Sequence, residues 1–305
     1  MPAPTTATAA PAGTWRSSSA HASARVPRHR HHRGAPPAAL RRALAASVVK
    51  ALALHPVRTA VVTGVSRAGG IGAAIARRLA ADGFDLFLTG WSPHDAQQPY
   101  GKDPDGGAAI AGELGVAYAE LDLSEPDAPE RLMAAAGAAL GTIDVLVANH
   151  ARSSEQSLGE LTAAELDLSF AVNARATLLL VRHFAEQAPA AGRIVLFSSG
   201  QYHGAMPGVL PYIASKAVVQ QLTATLSVAL AARAITVNCI NPGPNDTGYA
   251  TPDQHRRVEA AMPAGRWGRP EDTARLVAWL CGDEADWVTG QTIASDGGWS
   301  ARGSS

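Results

Sequence analysis

Tyr212 and Lys216 lie four positions apart in "LPYIASKAV". If that stretch is helical, the two side chains share one face. A phenol beside an ammonium loses its proton more readily, because the positive charge favours the phenolate. The same spacing also arises on an ordinary helix face with no chemistry attached. The pair by itself leaves both readings open. Chemistry would need three more things from the chain: a cofactor site, a partner for the phenol and a cavity for a substrate.

From Arg58 onward, strand-like and helix-like segments alternate. "RTAVVT", "FDLFLT", "VAYAELDL", "IDVLVAN", "GRIVLFSS", "AITVNCINPG" and "QTIASDGG" read as seven strands. Helical stretches fall between them, notably 127–140, 162–187, 212–233 and 270–281. This alternation predicts an α/β fold: a single doubly wound, Rossmann-type domain with a seven-stranded parallel sheet and helices on both faces. Ligands of such sheets bind at the carboxyl ends of the strands. The stretch "TGVSRAGGIG" sits between the first strand and the first helix. Its Gly64, Gly70 and Gly72 would let the backbone turn tightly and approach a pyrophosphate, with unpaired N–H groups at the helix N-terminus facing the anion. A plain glycine-rich turn is the competing reading, and the position between a strand and a helix argues for the cradle.

Two further residues fit. Ser199 ends the fifth strand, 13 positions before Tyr212, and Asn173 lies in "FAVNARAT". Together with the cradle, these residues resemble the short-chain dehydrogenase/reductase family, in the form that includes 3-oxoacyl-carrier-protein reductases. The resemblance covers roughly residues 58–299. It implies an NADP(H)-dependent oxidoreductase that interconverts a ketone and a secondary alcohol. Tyr212 would be the general acid/base, with Lys216 favouring its phenolate and holding the nicotinamide ribose. Ser199 would orient the carbonyl, and Asn173 would hold a water that links Lys216 to solvent. The cofactor set implied by the resemblance is Gly64, Ser66, Arg67, Gly70, Ile71 and Gly72 at the phosphates and Asp122 with Leu123 at the adenine. Asn149, Tyr212, Lys216 and the Pro242, Gly243 and Thr247 of "NPGPNDT" complete it toward the nicotinamide.

The chain departs from the family pattern in four places. Its glycine loop has two extra residues before Gly70. After the second strand, Trp91 and Ser92 stand where NAD-specific members carry an Asp, and no carboxylate follows until Asp95. With Arg67 in the loop, that absence favours NADP(H), with NAD(H) not excluded. The family's NNAG reads "ANHA" here, so His150 replaces a small residue, and space-filling is the expected role. Residues 92–107 form an insertion expected to shield the adenosine end or to join a subunit contact. Substrate choice is expected from Gln201, Tyr202, His203, Met206 and the region 244–264, with Tyr249 polar and Met262 and Trp299 apolar. Alternative readings are an NAD-dependent alcohol or sugar dehydrogenase and a non-catalytic nucleotide-binding regulator. A homotetramer or dimer packed through 162–187 and 212–233 is also expected from the resemblance.

Composition sets the remaining bounds. The chain has 305 residues, 47% hydrophobic and 5% aromatic, so its core must be built mostly of Ala, Val, Leu and Ile. Zero formal net charge argues for neither nucleic acid nor an anionic membrane as a partner. Two widely separated cysteines in apolar runs suit free thiols in a reducing, cytoplasmic setting. Residues 1–57 contain no Asp or Glu and are rich in Ala, Pro, Ser, Arg and His. They read as a disordered or targeting extension, with the catalytic domain at 58–305. Their run His29, Arg30, His31, His32 offers no preorganised geometry for a metal, and no metal is expected elsewhere. No uninterrupted apolar run is long enough to span a membrane.

Overall fold

The computed structural model describes residues 58–188 and 190–302. The tail expectations, including the His29–His32 run, fall outside them. The strands are β1 (Thr59–Thr63), β2 (Asp85–Gly90), β3 (Ala117–Glu120), β4 (Val145–Ala148), β5 (Arg193–Phe197), β6 (Thr236–Asn241) and β7 (Thr292–Ala294). All seven pair in parallel, in the order β3-β2-β1-β4-β5-β6-β7. The central strands are near-continuous Val, Ile, Leu and Ala because both their faces are covered. The strand order reverses between β1 and β4, and a crevice opens there at the carboxyl edge.

The helices are α1 (Ile71–Ala81), α2 (Ser92–Asp95), α3 (Gly106–Leu114), α4 (Ala128–Leu140), α5 (Ala163–Ser169), α6 (Thr177–Gln187), α7 (Leu210–Leu230), α8 (Pro252–Ala261) and α9 (Pro270–Cys281). On one face of the sheet, Ile75 and Leu79 of α1, Ile110 of α3 and Val277 and Leu280 of α9 bury Val62, Leu88 and Val147. On the other, Leu132 and Met133 of α4, Leu180 and Phe184 of α6 and Val219 of α7 bury Val61, Leu146 and Ile194. Both layers keep the strand ends fixed, which is what a site at those ends requires.

Three details differ from the sequence expectation. The helix expected over 162–187 is broken by a π-helical turn, Phe170–Ala176, between α5 and α6. The helix expected from 212 begins at Leu210, because Pro211 fits the first turn, where its missing N–H costs nothing. The insertion 92–107 is not a loop throughout: it holds α2 and opens α3. These were illegible because α2 is a single turn and α3 starts on Gly106–Gly107, poor helix formers. A Cβ at Gly107 would collide with the Val65 carbonyl and the Tyr118 ring, so glycine serves close packing there. The segment Leu210–Arg233 is long and apolar enough by composition to cross a membrane, although Lys216 interrupts it. It packs against β5 and β6, and its exposed side mixes Ala217, Ala224 and Val228 with Gln221 and Thr225.

Candidate active site

Ser199 follows β5 with an extended backbone, and α7 presents Tyr212 and Lys216 toward it. The Ser199 hydroxyl faces the Tyr212 phenol. Burial raises the Tyr212 pKa above its ordinary value, and the Ser199 hydroxyl pulls it part of the way back. Lys216 is 3% exposed. Its Nζ donates to the Phe197 carbonyl (3.0 Å) and the His150 carbonyl (3.4 Å). Burial lowers its pKa to about 8. A buried ammonium must find acceptors, and the two strand-end carbonyls satisfy it.

Asn173 is held by the π-helical turn. Its Nδ2 donates to the Arg152 carbonyl (2.9 Å) and to Ser215 Oγ (2.9 Å), and its Oδ1 accepts from the Arg152 N–H (2.7 Å). Ser215 is the neighbour of Lys216 on α7, so Asn173 ties the loop after β4 to the helix carrying the Tyr-Lys pair. Both Nδ2 protons are used, and Oδ1 keeps one lone pair with which a water could bond. The Asn173 backbone carbonyl accepts from Thr177 Oγ1 (2.8 Å).

His150 does more than fill space. Nδ1 lies 2.7 Å from Thr63 Oγ1, and Nε2 lies 3.0 Å from the Val172 carbonyl inside the π-helical turn. A carbonyl only accepts, so Nε2 carries the proton and Nδ1 accepts from the threonine hydroxyl. Burial, with the Lys216 charge second, holds the His150 pKa down to about 3. The ring is therefore a neutral brace joining the end of β1, the loop after β4 and the turn that bears Asn173. Only the substitution of a small residue signalled this in the sequence. The partners Thr63 and Val172 are 87 and 22 residues away.

The glycine loop fits a pyrophosphate cradle. Gly64 has φ +73°, open to glycine and strained for other residues. A Cβ at Gly72 would collide with the Gly64 carbonyl, so the first turn of α1 presses directly on the strand end. Gly70 caps α1 and its N–H donates to the Arg67 carbonyl (3.0 Å), closing the two-residue extension as a turn. Ile71 and Gly72 are the first helical residues, whose N–H groups have no partner within the helix. Asn149 Nδ2 braces the cradle by donating to the carbonyls of Thr63 (3.1 Å) and Gly64 (3.2 Å). On the other side of the crevice, Asn245 Nδ2 donates to the Pro242 carbonyl (2.6 Å), and the Gly243 N–H donates to Asn241 Oδ1 (3.1 Å).

A cavity of about 230 Å³ runs along the strand ends toward β3. Gly64, Ser66, Trp91, Asp122, Leu123 and His150 are on its wall. Asp122 Oδ1 accepts from the Ser124 N–H (2.8 Å), which fixes the carboxylate beside the cavity. The shape and lining suit the adenosine half of a dinucleotide. Arg67 is not on this wall. Its guanidinium lies over the Tyr100 ring, 4.0 Å from the centroid, and donates from Nη2 to the Thr247 carbonyl (2.7 Å). It bridges the glycine loop to the 242–248 loop, and its Nε is buried without a partner.

The insertion reaches across the same cavity. Arg152 pairs with Glu165 through two 3.0 Å contacts and approaches His94 Nδ1 at 3.3 Å. On the substrate side, Gln201 Nε2 donates to Gln220 (2.9 Å). Tyr249 packs edge-on to Trp267, and Trp267 stacks on His255, 4.9 Å between centroids. Burial pushes the Tyr249 phenol up to about 12, with Tyr212 next among the causes, so both phenols face one region. Met262 is buried against the turn at Gly297 and packs rather than lining a surface. Trp299 is covered by the Arg302 guanidinium. The side chain of Tyr202 lies outside the described set.

The comparisons with known proteins converge on one family. The enoyl-(acyl carrier protein) reductase family profile matches residues 64–300. An uncharacterised oxidoreductase of Bacillus subtilis, YjdA, is 36% identical over 79% of this chain and 96% of its own length. A blue fluorescent protein from a metagenomic library, solved with NADPH, is 34% identical with a TM-score of 0.70, covering 79% of this chain and 97% of that one. The angucycline C-6 ketoreductase LanV, solved with NADP, is 29% identical with a TM-score of 0.72, covering 80% and 96%. Those matches span the sheet, the cradle and the Ser-Tyr-Lys end alike, and the chain belongs to the short-chain dehydrogenase/reductase family of oxidoreductases.

Proposed function

We propose that this protein is an NADP(H)-dependent carbonyl reductase that interconverts a ketone and a secondary alcohol, with a 3-oxoacyl thioester as one candidate substrate. The observation that carries the reading is the Ser199 hydroxyl facing the Tyr212 phenol, beside the buried Lys216 ammonium, at the carboxyl edge of a parallel sheet. When bound, the nicotinamide supplies the hydride. Ser199 and Tyr212 then hold the substrate oxygen between two hydroxyls, and Tyr212 gives it a proton in reduction and takes one back in oxidation. Proton replacement runs past Lys216 and the Asn173 carbonyl.

NADP(H) is supported by the two solved relatives that contain it and by Arg67 beside the cradle, with Nε still unpaired. Residues 58–305 serve as the catalytic domain and 1–57 as an extension. Two buried free cysteines suit a cytoplasmic enzyme. Homo-oligomers through α5–α6 and α7 are supported by the outward apolar side chains of Phe170 and Val228, the latter 78% exposed. Tyr212→Phe tests the reading. Turnover of a responsive ketone should fall by about 10²–10⁴-fold, while NADPH binding measured by calorimetry is unchanged. Retained turnover would sink it.

A further inference from the structure

Two buried polar atoms on the adenosine cavity have no hydrogen-bond partner. Thr89 is 1% exposed and Asp95 is 7% exposed, and both are on the cavity wall. Thr89 Oγ1 and Asp95 Oδ2 are each unpaired. Leaving such groups unmade is costly, and their shared position indicates that a ligand completes them. Thr89 belongs to β2, and Asp95 ends the one-turn α2 that follows it. The family position for a ribose-binding carboxylate holds Trp91 instead. α2 folds back over the strand end and returns a carboxylate to the same cavity from four residues further along.

That return is built rather than incidental. The Ser92 N–H donates to Glu120 Oε1 (2.9 Å), pinning the start of α2 to the end of β3. The Ala68 N–H donates to Asp103 Oδ2 (2.6 Å), tying the insertion to the glycine loop. The collision that any side chain at Gly107 would make with Val65 closes the far end. Burial raises the Asp95 pKa, and the Ser66 hydroxyl and the Arg67 guanidinium pull it back down. Asp95 Oδ2 is therefore a carboxylate oxygen without a donor, beside a cradle for phosphate.

We infer that Asp95, assisted by Thr89, accepts the ribose hydroxyls of an unphosphorylated adenosine, so that the site admits NAD(H) as well as NADP(H). This rests on the dinucleotide reading of the cavity given above. A ribose O–H donates to Asp95 Oδ2 and supplies the missing partner. A 2′-phosphate brings no donor and places negative charge beside the carboxylate, so it must rely on Arg67. Asp95 thus supports one form of the cofactor and weakens the other.

The test uses nucleotides without nicotinamide, so that no turnover enters. ADP and adenosine 2′,5′-bisphosphate are titrated into the full chain by calorimetry. The wild type should bind both. Asp95→Asn keeps shape and removes charge: ADP should weaken about tenfold or more, and the bisphosphate should bind equally or more tightly. Thr89→Val should weaken ADP about threefold, with the same asymmetry. Thermal melting confirms that each variant is folded. Equal weakening of both nucleotides, or none, in both folded variants overturns the inference while leaving the dinucleotide reading intact. Failure of the wild type to bind either nucleotide, or NADPH, overturns both.

Discussion

The two ends of the crevice differ in which buried polar groups the protein satisfies. At the Ser-Tyr-Lys end Ser198 Oγ and Gln201 Oε1 lack partners, yet the groups that brace the Tyr-Lys pair are satisfied by the protein itself. Lys216 has two carbonyls, Asn173 has three partners, and His150 bonds through both ring nitrogens. At the adenosine end, Thr89 Oγ1 and Asp95 Oδ2 lack partners. A preassembled reacting end suits chemistry that needs fixed distances. An unfinished binding end lets the ligand supply the last bonds and so be read by them. The difference also has a local cause: the first end hangs on β5, α7 and the π-helical turn, the second on an insertion with only a one-turn helix.

The comparison can be broken at several points. The largest effect on the reacting end, after Tyr212→Phe, is expected from His150→Ala. It removes the donor to the Val172 carbonyl and the ring acceptor of Thr63 Oγ1, which keeps its bonds to the Val147 carbonyl and the residue-150 N–H, and should cost about 1–3 kcal/mol in all. Urea unfolding should show the loss, and kcat should fall more than KM rises, because Asn173 and Lys216 are what His150 positions. Unchanged stability would mean that the brace carries nothing.

Lys216→Met gives a pH signature. The Lys216 pKa is about 8 in the folded protein against an ordinary 10.5. The folded state therefore binds fewer protons than the unfolded chain between those values, and stability rises with pH across that window. The burial penalty is fully present below pH 8. Between pH 7 and pH 10, wild type should accordingly gain stability relative to Lys216→Met, by roughly 1–3 kcal/mol. A constant difference across that range would show that the ammonium is not desolvated as described.

The smallest effect is expected from Arg152→Ala. The Arg152–Glu165 pair is half-buried and bidentate, and its removal should cost about 1 kcal/mol. It also frees His94 and the edge of the insertion. Stopped-flow release of ADP should be a few-fold faster, with kcat for the chemical step little changed if Asn173 keeps its bonds to the Arg152 backbone. A slower release would show that the insertion does not cross the nucleotide's exit.

Much of the fold was legible because its signals are local and redundant. Seven β-branched and aliphatic runs, each followed by a helical or glycine punctuation, admit few arrangements once crossovers are right-handed. Ser199, Tyr212 and Lys216 were singled out through the family resemblance, and each lies at the end or start of a strong element. The π-helical turn was not legible, since nothing in "FAVNARAT" distinguishes five-residue from four-residue spacing. Its stabilising contacts come from Ser215 and His150, far along the chain.

The amino-acid order by itself determined the parallel sheet and the glycine turn between its first strand and first helix, because periodicity and spacing act within a few residues. Tertiary structure alone decided that Lys216 bonds to strand-end carbonyls, that His150 stays neutral and that Asp95 returns to the cavity. Each of these depends on burial and on partners brought from distant segments, and both exist only once the chain has packed.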